Sequence, residues 1–263
     1  MGEITAKLVN DLRAKTGLGM MECKKALVEV GGDVEKAVEF FRKKGVKTSV
    51  TERAANEGRV QVVTSGSTGI IVEIKCNTDF AAKSEVVQKI LDGGAAELVK
   101  NPKADLSASV QLKELLVLAA QQTGENIQLG RTACLTASGT MGTYLHYTGK
   151  IAVLVALTGS PSQELIKDLC LHITAARPLA LTREQVPAAL IAKEMEIAVE
   201  QAKATGKPQA IAEKIAEGKM RVFYEERVLL DQKFVKDDSK SVAQLLKENG
   251  TSLEAYVRVE VGQ

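Results

Sequence analysis

Few side chains in this sequence are placed to make or break a covalent bond. Acid–base and nucleophilic chemistry at neutral pH calls first on histidine and cysteine, and the chain has only His146 and His172, with Cys23, Cys76, Cys134 and Cys170. The cysteines lie more than thirty residues apart with no CxxC pair, so neither a disulfide framework nor a zinc site is legible. Gly17 and Gly19 lack the third glycine of a dinucleotide fingerprint, and no GxxxxGK[ST] loop or GxSxG elbow occurs. A hydrolase built on Asp79 and His146 would need a nucleophile beside them, and nothing in the sequence places one. These residues favour a binding protein over an enzyme, with no cofactor and no metal.

The residues that do stand out are Thr78, Asp79 and Phe80, where an apolar strand gives way to a helix. Thr78 suits the capping position, and Asp79 complements the helix dipole in the first turn. If the motif is no more than a helix cap, Phe80 packs inward; if it acts on a partner, Phe80 must be largely exposed.

The elements that must position this junction belong to an ordinary folded chain. Its 263 residues suit two to four structural units. Hydrophobic residues make up 45% and charged residues 26%, far from disordered extremes. Aromatics are only 3% with no Trp, which argues against a stacking platform for single-stranded nucleic acid. A net charge of +2 from 35 basic and 33 acidic residues implies neither a nucleic acid nor a membrane as partner. The opening MGEITAKLVND is acidic at once, unlike a secretory signal, and Ala6 breaks the myristoylation pattern. No run approaches a membrane span, so a cytoplasmic protein is expected.

Periodicity divides the chain. Ile4, Leu8 and Leu12, then Cys23, Ala26, Leu27 and Val30, then Val34, Ala37, Val38 and Phe41 predict three short helices, the third capped by Asp33. Arg42 to Val50 reads as a basic linker, with RNA contact as the other reading. A hairpin follows: Val60, Val62 and Val63, a turn from Ser65 to Gly69, and Ile70 to Ile74. Past the Thr78 junction comes a helix through Val86, Val87, Ile90 and Leu91. The same grammar returns in a strand at Tyr144 to Tyr147, a turn at Thr148 and Gly149, the run Ile151 to Leu157, and a helix carrying Leu165, Ile166 and Leu169. This is an internal duplication. From Arg183 to Arg227 strands vanish, and two stripes predict a helical hairpin: Leu190, Ile191, Met195, Ala198, Val199 and Ala202, then Ile211, Ile215, Met220 and Phe223. A short helix at Val242 to Lys247 and a strand at Tyr256 to Val261, which can pair with the second sheet, close the chain.

The repeat, the amino-terminal phrase LVNDLRAKTGLGMMECKKAL and the phrase CNTDFAAKSE together resemble the elongation factor Ts family along essentially the whole chain. The resemblance implies an α+β architecture: a ubiquitin-associated-like helical domain with its linker (1–53), two related core subdomains (54–140, and 141–182 with 229–263), and a coiled-coil hairpin (183–228). It implies binding to elongation factor Tu carrying GDP and release of that nucleotide, with no nucleotide bound by this chain itself. The family motif associated with dislodging the partner's Mg²⁺ matches Thr78, Asp79, Phe80 and Ala81. His146 matches a position pressed against the partner's phosphate-binding region; a surface strand histidine is the alternative. Met20 and Met21 match a helical-module contact, with packing as the alternative, while His172, Cys23 and Cys76 are assigned to structure. Self-association through the hairpin is open. Longer members continue past the last strand, so any contact made by that extension is expected to be missing. The competing reading is an RNA-binding or ribosome-associated module, resting on the basic linker.

Overall fold

The computed structural model describes residues 4–16, 18–44, 54–204 and 209–263. The chain is α+β: helices alone at the N-terminus, then small antiparallel sheets backed by helices. Helices α1 (Ala6–Thr16), α2 (Met20–Glu29) and α3 (Val34–Lys43) bury one apolar cluster that includes Val9, Leu12, Cys23, Leu27, Ala37 and Phe41. Asp33 accepts from the Lys36 amide at 3.1 Å, the predicted cap. Most of the predicted basic linker, and the Thr205–Pro208 break in the hairpin, lie outside the described residues.

The first sheet is β1 (Glu57–Ser65), β2 (Thr68–Cys76) and β3 (Gln128–Thr136), in that order. Between β2 and β3 run a one-turn helix α4 (Asp79–Ala82), α5 (Glu85–Lys100) and α6 (Val110–Thr123). The second sheet joins β4 (Thr140–Leu145) and β5 (Ile151–Leu157) to the final strand, β8 (Leu253–Glu260). After β5 come α7 (Gln163–Ala176), the hairpin α8 (Ala188–Lys203) and α9 (Gln209–Arg227), a small pair β6 (Lys233–Phe234) and β7 (Asp237–Ser241), and α10 (Val242–Glu248). Each sheet therefore receives a hairpin first and a third, antiparallel strand beside the hairpin's second strand after its helices.

That order makes β2 and β5 central, and both are apolar on two faces. Ile70, Val72 and Ile74 point to α5, meeting Val87, Ile90 and Leu91, while Val153, Val155 and Leu157 meet Ile166, Leu169 and Ile173 of α7. The opposite faces, Ile71 with Val60 from one sheet and Ala152, Leu154 and Val259 from the other, form a shared layer. The core is thus stacked as helices, sheet, sheet, helices. Each such large aliphatic contributes about 1.5–3 kcal/mol of burial.

Several features add to the sequence reading or decide between its alternatives. Helix α6 and strand β3 were unexpected, as was the β6–β7 pair. Strand β4 ends at Leu145, so His146 is not a strand residue. Phe80 does not pack inward, as a bare helix cap would have it, but is 82% exposed, as action on a partner requires, because Ala81 and Ala82 supply the buried face of α4. In the hairpin, Ile211 is exposed, and among the described residues the buried positions are Met220 and four alanines, Ala198, Ala202, Ala212 and Ala216, whose small side chains let the two helices approach closely.

His172 is structural, as expected. It is buried; its Nδ1 accepts from the Val235 amide at 3.2 Å, so Nε2 carries the proton and donates to Gln232 Oε1 at 3.0 Å. Burial pushes its pKa below the ordinary 6.5, an effect only partly offset by Gln232. The unfolded chain therefore binds the extra proton first, and this contribution to stability is complete above the unfolded pKa and lost as pH falls from there through the folded pKa. The thermal midpoint is expected to drop as pH falls below about 6.5, and His172→Gln to flatten that part of the slope in a calorimetric pH series. An unchanged slope in the variant would refute the assignment.

Candidate functional site

The turn from β2 into α4 is fixed before the helix begins. Asn77 Nδ2 donates to the Ala54 carbonyl at 2.8 Å and its Oδ1 accepts from the Asn126 amide at 2.8 Å. Thr78 is the N-cap: its Oγ1 accepts from the Ala81 amide at 3.3 Å. The same hydroxyl donates to Glu125 Oε1 at 2.6 Å, and the amides of Asn77 and Thr78 donate to Glu125 Oε2 at 3.1 and 3.0 Å. On the far side Ser84 closes α4 by donating to the Ala81 carbonyl at 2.7 Å, and caps α5 by accepting from the Val87 amide. With Ala81 and Ala82 buried in the first core, Asp79 and Phe80 are turned outward.

Facing them is the β4–β5 turn, His146 to Lys150. The Val60 amide donates to the Gly149 carbonyl at 2.9 Å, which ties this turn to β1 of the other sheet. Gly149 sits at φ +71°, a conformation that favours glycine and lets the chain reverse there. His146 is half-buried, its Nδ1 2.9 Å from Thr148 Oγ1 and its ring centroid 4.4 Å from that of Tyr147. Tyr147 itself is 91% exposed.

The two turns enclose a cleft of about 640 Å³ lined by Glu57, Thr78, Asp79, Phe80, Lys83, Tyr147, Thr148 and Lys150. Its charges are matched. Asp79 pairs with Lys83 at 2.8 Å, and Lys150 pairs with Glu57. The hydrogen bond from Lys83, aided by the positive charge of Lys150, holds the Asp79 carboxyl below the usual carboxylate range, so it is ionised at neutral pH. Cys76, directly below, is pushed up to about 11 by burial and by the Glu125 charge, and its Sγ donates to the Thr78 carbonyl at 3.0 Å. The thiol is inert there.

Thr78, Asp79 and Phe80 therefore share one cleft, with Ala81 buried beneath as anchor and His146 supporting Tyr147 behind the lining. Met20 and Met21 do not line it; they are exposed on α2 rather than packed, beside Lys24, Lys25 and Val28. The residue that sequence reasoning missed is Tyr147, although an aromatic beside a Thr–Gly turn was a signal in so aromatic-poor a chain. Two exposed rings over a charge-matched floor suit contact with a protein surface better than capture of a small molecule.

The comparisons with known proteins agree on one family. The model of the family described as Elongation factor TS matches residues 77–263, beginning at the Asn77 turn. The chain belongs to the elongation factor Ts family. A relative, the elongation factor Ts of Hyphomonas neptunium, is 40% identical over 281 aligned positions, spanning the whole of this chain and 93% of the relative. The protein is thus a translation elongation factor by family, and among its described residues no helix is long and apolar enough to cross a membrane.

The exposure of Phe80 makes its energetic role testable without a partner. Phe80→Ala is expected to change unfolding free energy by no more than about 0.5 kcal/mol. Thr78→Ala, which removes the cap, is expected to cost about 0.5–2 kcal/mol. Urea titrations of the three proteins check both; a loss near 3 kcal/mol for Phe80→Ala would return the ring to the core.

Proposed function

We propose that the chain binds elongation factor Tu carrying GDP and accelerates nucleotide release by intruding on the partner's Mg²⁺ and phosphate site. The observation that carries this reading is the ring of Phe80, 82% exposed beside an ionised Asp79 on a helix pinned at both ends. Water-exposed phenylalanine on a well-fixed backbone loses free energy in the free protein and regains it only against a partner. Tyr147, across the cleft, widens the contact, and His146 braces it.

No covalent step is required. Mg²⁺ tolerates little departure from octahedral geometry, so a wedge that shifts its supporting loop weakens ion and nucleotide together. Linkage then sets the cycle: a factor that lowers nucleotide affinity is itself bound less tightly by the loaded partner, and incoming GTP expels it. In the same reading residues 1–53 dock through Met20 and Met21, 54–140 carry the wedge, 141–182 with 229–263 carry the opposing turn, and 183–228 form a coiled-coil arm.

Release of labelled GDP from elongation factor Tu, followed by stopped flow with increasing factor, tests the proposal. Phe80→Ala and Asp79→Ala are expected to lower the maximal release rate by tenfold or more, about 1.4 kcal/mol of lost differential binding each. Full release by the folded Phe80→Ala protein would end the wedge assignment. Titration of the chain alone with GDP and Mg²⁺ should give no heat, and micromolar binding would contradict a role exerted wholly on the partner's site.

The docking role of the helical unit has its own check. A chain starting at residue 54 is expected to keep the core's thermal transition, because the cluster of α1–α3 is built only from residues of those helices and their turns. Its half-saturating concentration in the release assay should rise, with the maximal rate little changed. Collapse of the core transition would remove the boundary.

A further inference from the structure

We infer that Glu125 is the positioning residue of the exposed motif: it sets the geometry of Thr78–Phe80 from beneath without touching the partner. The inference rests on the wedge reading of Phe80 and adds the group that aims the wedge. Helix α4 is four residues long, too short to hold its own shape, since one turn fixes several dihedrals for little hydrogen bonding. Something outside it must supply the order. Both oxygens of the Glu125 carboxylate are engaged at its entrance, Oε2 by the amides of Asn77 and Thr78 and Oε1 by the Thr78 hydroxyl.

The third bond matters most. A threonine hydroxyl has one proton and two lone pairs, and committing the proton to Glu125 at 2.6 Å fixes the rotor so that a lone pair meets the Ala81 amide. The cap therefore depends on a residue 47 positions away in sequence. Charge strengthens these bonds, because an ionised acceptor binds donors about twice as strongly as a neutral one.

Glu125 is itself aimed by its own turn. Helix α6 ends at Gly124, whose left-handed backbone (φ +68°) donates to the Ala120 carbonyl and sends the chain back toward β2. Thr123 accepts from the Glu125 amide at 3.2 Å while donating to the Ala119 carbonyl at 2.8 Å. The next residue, Asn126, donates its amide to Asn77 Oδ1. The α6–β3 turn and the motif are thus stitched reciprocally, and Glu125, half-buried, does not line the cleft.

A residue that only stabilised the fold would lower the amount of active protein and leave the folded fraction's kinetics alone. A positioning residue instead lowers the maximal release rate at unchanged docking. Glu125→Ala is expected to cut the maximal rate of labelled-GDP release about tenfold, with the half-saturating concentration within about twofold of the parent. Hydrogen exchange of a peptide spanning residues 77–82, read on the free protein, is expected to quicken about five- to tenfold. Glu125→Gln keeps an acceptor for the two amides while its NH2 can only donate to the Thr78 hydroxyl, so it should recover the rate in part, to between those of Glu125→Ala and the parent. If Glu125→Ala does not fold, Glu125→Asp, which is too short to reach all three donors, is read in its place with the same expectation.

An unchanged maximal rate in the folded Glu125 variant, beside a strong defect in Phe80→Ala, overturns the positioning role alone. Unchanged rates in both variants remove the wedge reading and this inference with it. A raised half-saturating concentration with the maximal rate intact would make Glu125 a docking contact, and also overturns it.

Discussion

Strands β2 and β5 carry apolar side chains on both faces, and a strand of that kind has no stable place except between two layers. Each sheet has helices enough to cover one face only. The uncovered faces close on one another through Val60, Ile71, Ala152, Leu154 and Val259, and that contact fixes everything that follows. Gly69 marks how tight it is, since a Cβ there would meet Leu154 and Met141 side-chain atoms at 2.8 Å. The β2–α4 junction and the β4–β5 turn face each other because the sheets stack, and the Val60–Gly149 hydrogen bond sets their separation at the rim.

One polar group interrupts this layer. Glu73 is fully buried on β2, at a bulge where the pairing with β3 shifts between Val72 and Ile74. Gly130 leaves room for its carboxylate, which a Cβ would meet at 2.6 Å. A buried carboxylate costs free energy unless it is paired, and Arg131 supplies both its amide, at 2.8 Å, and its guanidinium, at 3.2 Å. The same guanidinium reaches the Glu260 carbonyl on β8. An apolar layer can slide; a bond from one sheet's carboxylate to the other sheet's edge through a single arginine resists that, and so holds the two turns of the cleft in register.

Sequence patterns revealed the parts of this arrangement governed by period. The runs 70–74 and 151–157, the helix stripes at Val86–Leu91 and Leu165–Leu169, and the pairing of the last strand with the second sheet all follow from burial that repeats. Helix α6 was invisible because Val110, Val117 and Leu118 face water, which blurs its stripe, and β3 because Leu129, Cys134 and Leu135 are only half-buried. The orientation of Phe80 was left open for a related reason. Hydrophobicity predicts an inward ring, but in a one-turn helix the two alanines that follow fill the available buried positions, and no local rule says which side chain yields. The Thr78 cap was legible; the Glu125 carboxylate that orients it was not, because spacing within a segment carries no information about an acceptor on another element.

An exposed aromatic is costly to keep in water and useless if it moves, since the entropy of ordering it would then be lost at binding. Here that ordering is done within the fold. Asn77 is tied to Ala54 and Asn126, Thr78 to Glu125, and Ser84 closes the far end, so the backbone under Phe80 has few states left to surrender. The ion pairs of the floor act the same way: Asp79 with Lys83 and Lys150 with Glu57 leave no strong net field to draw in free anions or metal ions. In the proposed contact, selectivity for a protein surface comes from shape, two exposed rings above a neutralised floor. What the scaffold contributes to the proposed function is rigidity beneath two of its most exposed rings, Phe80 and Tyr147.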